Sequence, residues 1–162
     1  MTFHKKQKVL SKNDVLQKIL KYCTWRERSM HEVHTKLKQY ALKANDIEEI
    51  ISFISDEGFV NDERFSKIYA GSKFRLSKWG KNKIKAGLFA KGVSGTLAEN
   101  AINEEIEKEE YYLCLKELYQ KKQAEVALKE GLSAIDIKNR VFRYLLGKGY
   151  EMELIYEVEK EL

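Results

Sequence analysis

Hydrophobic residues recur along this chain at three- and four-residue steps, the spacing that gathers side chains on one face of an α-helix. Val15, Leu16, Ile19, Leu20 and Cys23 make a first stripe, with Ser11 or Asn13 placed to cap it. Ser29-Met30-His31-Glu32 reads as a capping box, in which a Ser hydroxyl and a Glu carboxylate satisfy free N–H groups at a helix start. The helix it opens carries Val33 and Leu37. Asn45-Asp46-Ile47-Glu48 reads as a second box, opening a helix with Ile47, Ile50, Ile51 and Ile54 that Gly58 ends.

The pattern then restarts. Asn61 or Asp62 caps a helix with Phe65, Ile68, Tyr69, Ser72 and Leu76 expected on one face. A shorter helix carries Ile84 and Leu88 and stops at Gly92, and a third begins near Ser94 with Leu97, Ala98, Ala101 and Ile102. In a further round, Tyr111, Tyr112, Leu115, Leu118 and Tyr119 share a long helix. Ser133 caps the next, which carries Val141 and Leu145 and stops at Gly149; Leu154, Ile155 and Val158 mark the last.

The rounds superimpose. Val33, Ile84 and Val141 correspond, as do Leu37, Leu88 and Leu145, then Leu42, Val93 and Tyr150. Ile47, Ala98 and Ile155 follow, then Ile50, Ala101 and Val158. Lys91-Gly92-Val93 and Lys148-Gly149-Tyr150 share a Lys-Gly-apolar signature. The spacing predicts an all-α chain: a tandem array of three degenerate three-helix repeats, elongated and curved because units this small must lean on their neighbours. The expected boundaries are a flexible basic leader over 1–12 and repeats over 13–60, 61–107 and 108–162.

Composition agrees. The chain has 162 residues and no proline, and it is rich in helix-compatible Lys, Glu, Leu, Ile and Ala. No apolar run approaches the roughly 18 residues that a membrane span needs. The N-terminus is basic without an apolar segment behind it, so a cytoplasmic location is expected. Cys23 and Cys114 stand far apart on apolar faces and read as small buried hydrophobes.

Charge changes the picture more than composition does. The net charge is +5, unevenly spread. Residues 1–63 hold 11 basic and 10 acidic side chains, residues 64–98 hold 9 basic and none acidic, and residues 99–162 hold 10 basic and 15 acidic. The middle repeat is thus the basic module, made of Arg64, Lys67, Lys73, Arg75, Lys78, Lys81, Lys83, Lys85 and Lys91. Concentrated positive charge attracts phosphates or an acidic protein surface. Lys81, Lys85 and Phe89 follow one ridge, with Trp79 at its start. That indole either stacks on a partner or closes the core between two helices.

Catalytic patterns are missing. The sequence has no phosphate-binding Gly-Lys loop, no dinucleotide fingerprint, no nucleophile elbow and no HExxH. His31 and His34 would need further ligands from elsewhere to hold a metal, so no metal and no cofactor are expected.

Three segments carry a family resemblance. The run from Trp25 to Val33 with Lys36-Leu37 holds an Arg, a Ser shortly after it, a Glu-apolar pair and a Lys-Leu. The run from Glu57 to Phe65 is a Gly-aromatic-aliphatic-Asn-Asp junction. Gly80, Ile84, Leu88 and Lys91-Gly92-Val93 follow. Together they resemble the RecX family of recombination regulators, from about Val15 to the C-terminus and most strongly from Arg26 to Val93. Two positions depart from that pattern: Lys81 follows Gly80 where the family often has Pro, and Gly87 precedes Leu88 where it often has Glu.

The resemblance implies a non-enzymatic protein of tandem three-helix repeats that lies along the groove of a RecA filament. It implies inhibition of ATP hydrolysis, strand exchange and coprotease function, with roles in DNA repair and the SOS response. A monomer without membrane contact is expected. Arg26, Arg28, Lys36, Arg64, Lys67, Arg75, Lys78, Trp79, Lys81 and Lys85 are the expected contacts to filament or DNA. The alternatives are a direct binder of single- or double-stranded DNA, marked by a steep salt dependence, and an enzyme, which would need a carboxylate or His cleft.

Overall fold

The computed structural model describes residues 10–162, so most of the expected basic leader lies outside the described residues. Among the described residues there are nine helices and no strands. They run α1 (Lys12–Trp25), α2 (Met30–Leu37), α3 (Ala44–Asp56), α4 (Asp62–Ser77), α5 (Lys81–Ala90), α6 (Gly95–Glu105), α7 (Lys108–Ala127), α8 (Ala134–Lys148) and α9 (Met152–Glu161). Each successive set of three matches one round of the sequence pattern. Val33, Leu37, Ile84, Leu88, Val141 and Leu145 are all fully buried, so the repeat frame holds at the helix level. The chain divides into two compact units, with the division between Phe65 and Ser66.

The first unit packs α1, α2 and α3 around Val15, Ile19, Cys23, Val33, Leu37, Ile50, Ile54 and Val60. Its helices start where local chemistry satisfies free N–H groups. Ser11 caps α1 and forms a capping box with Asp14, which places Asn13 inside the helix. Ser29 caps α2: its hydroxyl accepts from the Glu32 N–H, and Glu32 accepts from the Ser29 N–H. The Asp62 carboxylate takes a third N–H of that turn, from Met30, at 2.8 Å. Ser29 is fully buried, so Ser29→Ala should cost about 1–2 kcal/mol, read as a lower urea midpoint. An unchanged midpoint would show that Asp62 alone holds the start of α2.

Two expectations fail here. The Asn45–Glu48 capping box does not form. The chain leaves extended backbone at Lys43, so α3 begins at Ala44 with no side-chain cap, and Asn45 and Asp46 lie within its first turn. The α4 face is also different. Ile68 is 49% exposed and Leu76 83%, while Phe65, Ser66, Ala70 and Phe74 are buried. Phe65 thus faces inward as expected, and Ser66 and Ala70 complete the seam with Phe74, because small residues let neighbouring backbones approach and a count of large apolar residues overlooks them. At the start of α4, Asn61 is the capping side chain and accepts from the Arg64 N–H.

The second unit joins its two repeats through backbone. The α4–α5 turn meets the α8–α9 turn. Gly80 N–H donates to Lys148 O at 2.8 Å, and Asn82 N–H donates to Gly149 O at 3.1 Å. A Cβ on Gly80 would lie 2.3 Å from the Gly149 carbonyl. Beneath this clasp Tyr111 and Tyr150 stack with centroids 5.0 Å apart, and Phe74 lies 5.8 Å from Tyr111. Gly87, a departure from the resembled pattern, has its own reason: a Cβ there would meet the Tyr69 hydroxyl at 2.2 Å.

Candidate functional site

The structure separates the expected contact residues into cations already tied down and cations left available. In the first unit Arg28 is buried. Its guanidinium lies 3.8 Å from the Tyr22 ring centroid, and its Nε donates to Tyr22 O at 3.3 Å. Arg64 holds the turn after α3, donating to Glu27 at 2.7 Å and to Gly58 O at 3.0 Å. Arg26 pairs with Glu32 at 2.9 Å. Lys36 donates to Gln39 at 3.0 Å and stays clear of carboxylates. Trp25, which was not among the expected contacts, is 81% exposed.

In the second unit three cations of the basic segment face carboxylates of α6. Lys67 pairs with Glu104 at 2.8 Å, Arg75 with Glu105 at 3.2 Å, and Lys85 with Glu99 at 2.6 Å. The Lys85 hydrogen bond holds the Glu99 carboxyl below its ordinary range. The carboxylate-free run ends at Ala98, and the next helix supplies the missing negative charge. Lys81 Nζ lies 5.0 Å from the Tyr111 ring centroid, while its backbone N–H donates to the Tyr111 hydroxyl at 2.9 Å.

A further group of cations lies near the clasp. Lys73 Nζ and Lys83 Nζ lie 4.7 Å and 4.8 Å from the ring centroid of the half-buried Trp79. Lys83 Nζ donates to Gly147 O at 3.0 Å, and Lys148 Nζ donates to Ser77 O at 3.1 Å. Lys78 ends α4 in the left-handed region, at φ 54. Of this group the sequence pointed to Lys78 and Trp79 as contacts. Lys73 and Lys83 were counted in the basic module but not singled out. Lys148 was hidden by the acidic sum of the third repeat, although its place in the Lys-Gly-apolar signature marked it.

Among the described residues, no group of three or more His, Cys, Asp or Glu side chains could hold a metal ion. No helix among the described residues is long and apolar enough to cross a membrane.

These features define a class: an all-helical protein of three-helix repeats whose notable surface is basic and aromatic. The family profile described as "RecX, second three-helix domain" matches residues 61–102. The Regulatory protein RecX of Clostridium acetobutylicum is 33% identical over 132 residues, covering 81% of this chain and 60% of that protein. The Regulatory protein RecX of Clostridium tetani is 28% identical over 163 residues, covering 98% of this chain and 74% of that protein. The fold also matches the crystal structure of RecX from Lactobacillus salivarius, with a TM-score of 0.82, 24% identity, and coverage of 93% of this chain and 96% of that one. In sequence and in fold the chain is similar to the RecX family. It spans 60% of the length of the Clostridium acetobutylicum relative.

Proposed function

We propose that this chain binds a RecA-type recombinase filament and inhibits its ATP hydrolysis, strand exchange and coprotease activity. It does so as a cytoplasmic monomer and a binding protein, not an enzyme. The observation that carries this reading is the 33% identity to a Regulatory protein RecX across 81% of the chain. In this reading the repeats over 13–60, 61–107 and 108–162 act as successive contact modules. The cations not tied to carboxylates, Lys36, Lys78 and Lys81 among the expected residues, meet the filament first, because a cation already paired must break that pair to bind.

The test is the DNA-dependent ATPase of the cognate recombinase, titrated with this chain at fixed salt. Turnover should fall to a plateau as the chain is added. Unchanged turnover at a large excess would remove the reading. Lys78→Glu with Lys81→Glu should weaken inhibition tenfold or more, on the order of 1.4 kcal/mol. The same reversal at Lys121 and Lys122 should weaken it less. Equal losses in the two double variants would show that the middle repeat does not lead the contact.

A further inference from the structure

The cations at the clasp differ from those elsewhere in the basic segment. Lys73, Lys78, Lys83 and Lys148 come from four places in the sequence: α4, its C-terminal end, α5, and the end of α8. The Gly80–Gly149 backbone contact brings these places together. No carboxylate among the described residues lies within ion-pair reach of any of the four, whereas Lys67, Arg75 and Lys85 on the same repeat each have one. An ammonium has three donors. Lys83 and Lys148 each spend one on a carbonyl, which fixes the side chain and leaves donors to spare. Lys73 and Lys83 lie over the Trp79 ring rather than pairing with an anion.

Lys78 adds an independent sign. Left-handed backbone at the end of a helix is the place for Gly or Asn, and a long side chain there is uncommon. Here a lysine holds it. The strain has a use if the cation is wanted at that spot. The surface therefore offers two cations at one large ring and two more on the adjoining turns, the combination suited to a flexible polyanion that carries aromatic faces.

We propose that Lys73, Lys78, Lys83 and Lys148, with Trp79, form a contact surface for a single-stranded nucleic acid, built jointly by the second and third repeats. The lysines take successive phosphates; Lys73 leaves the Trp79 ring for one of them, and the face it frees stacks on an unpaired base. Single strand is favoured over duplex because duplex bases already stack on one another and leave no face for Trp79. An acidic protein segment would satisfy the lysines but leave the ring without a partner. The inference stands apart from the recombinase reading, since bare DNA is enough to test it.

The experiment uses the full chain and a fluorescent oligothymidylate, followed by anisotropy across a salt series. Binding should weaken log-linearly with salt. Lys73→Gln/Lys78→Gln/Lys83→Gln should lose tenfold or more in affinity and flatten the salt slope by about 2, as three lost phosphate contacts on a single strand require. Lys67→Gln/Lys85→Gln, which removes two carboxylate-paired lysines, should lose less than about twofold. The same three positions changed to Arg should keep most of the affinity, which separates lost charge from a damaged fold, and thermal melts of all variants check the fold directly. In a Trp25→Phe background, leaving Trp79 as the sole tryptophan of the two, oligothymidylate should quench the emission. Equal losses in the two Gln sets would overturn the proposal. So would duplex or poly-glutamate competing as well as oligothymidylate, or Trp79 emission that ignores the strand.

Discussion

Gly149→Ala is expected to destabilise the 66–162 unit by about 3 kcal/mol, whereas Gly58→Ala should cost the first unit about 1 kcal/mol. Both glycines follow a helix with left-handed backbone, at φ 94 and φ 72. An alanine at either site therefore meets the same conformational penalty, about 1 kcal/mol. Their surroundings differ. Nothing lies within 4 Å of a Cβ built on Gly58. A Cβ on Gly149 would lie 2.3 Å from Lys83 Cβ and 2.5 Å from Lys83 N. Part of that obstruction is backbone, so it cannot swing aside, and forcing extra volume into a packed site costs about 1–3 kcal/mol more. The movement would also stretch the Gly80–Lys148 and Asn82–Gly149 hydrogen bonds. Urea unfolding of the two variants separates the terms. Equal losses would mean that the clasp between the α4–α5 and α8–α9 turns yields easily.

Both glycine stops were legible in the sequence, because a helix end is local chemistry: the residue that can turn left-handed lies next to the residues that stop. The same holds for Ser29 and Ser133, whose capping boxes reach only three residues ahead. The clasp was not legible. It joins Gly80 to Lys148 and Asn82 to Gly149, across 68 and 67 positions, and no periodicity along one helix encodes which turn meets which.

The α4 face shows a second limit. Ile68 and Leu76 satisfy helical spacing as well as Phe65, Ala70 and Phe74 do, so apolar periodicity offered two seams. Close packing settled the choice in favour of the one with small residues, and Ser66 and Ala70 are fully buried. The Asn45 cap fails for a similar reason. A capping side chain works only where the backbone is still extended, and that residue is Lys43, at φ −70 and ψ 152.

The basic module shows the third limit. Counting charge from Arg64 to Ala98 found nine cations and no carboxylate. Glu99, Glu104 and Glu105 begin at the next position and fold back onto Lys85, Lys67 and Arg75. Charge on a linear segment thus overstates charge on a surface. Two of the residues expected to meet a partner, Arg28 and Arg64, are also bonded within the first unit, through Tyr22, Glu27 and Gly58. The lysines near Trp79 and the clasp that have no carboxylate partner are Lys73, Lys78, Lys83 and Lys148, three of the four outside the expected contacts.

Raising the pH from 9 to 11 is expected to destabilise the 66–162 unit steeply, through Tyr111 and Tyr150. Both are buried, at 4% and 1% exposure. Burial pushes the Tyr111 phenol well above its ordinary value, and the hydrogen bond it donates to Glu151 at 2.6 Å pushes it further. Burial does the same to Tyr150, reinforced by Cys114, whose sulfur lies 3.5 Å from the hydroxyl. In the unfolded chain both phenols ionise near pH 10. A phenol whose folded pKa is raised contributes its full stability below the unfolded value. That contribution is lost as pH climbs from there toward the folded value, because only the unfolded chain releases the proton. The loss is about 1.4 kcal/mol per pH unit for each phenol, so the pair should remove about 3 kcal/mol by pH 11. Lysines also begin to lose charge in this range, so the wild-type slope alone does not isolate the effect. Tyr150→Phe does: it keeps the ring stack and removes one titrating hydroxyl, and its urea midpoint should fall markedly less than the wild-type midpoint between pH 9 and pH 11. Parallel falls in the two proteins would show that Tyr150 ionises without unfolding the unit.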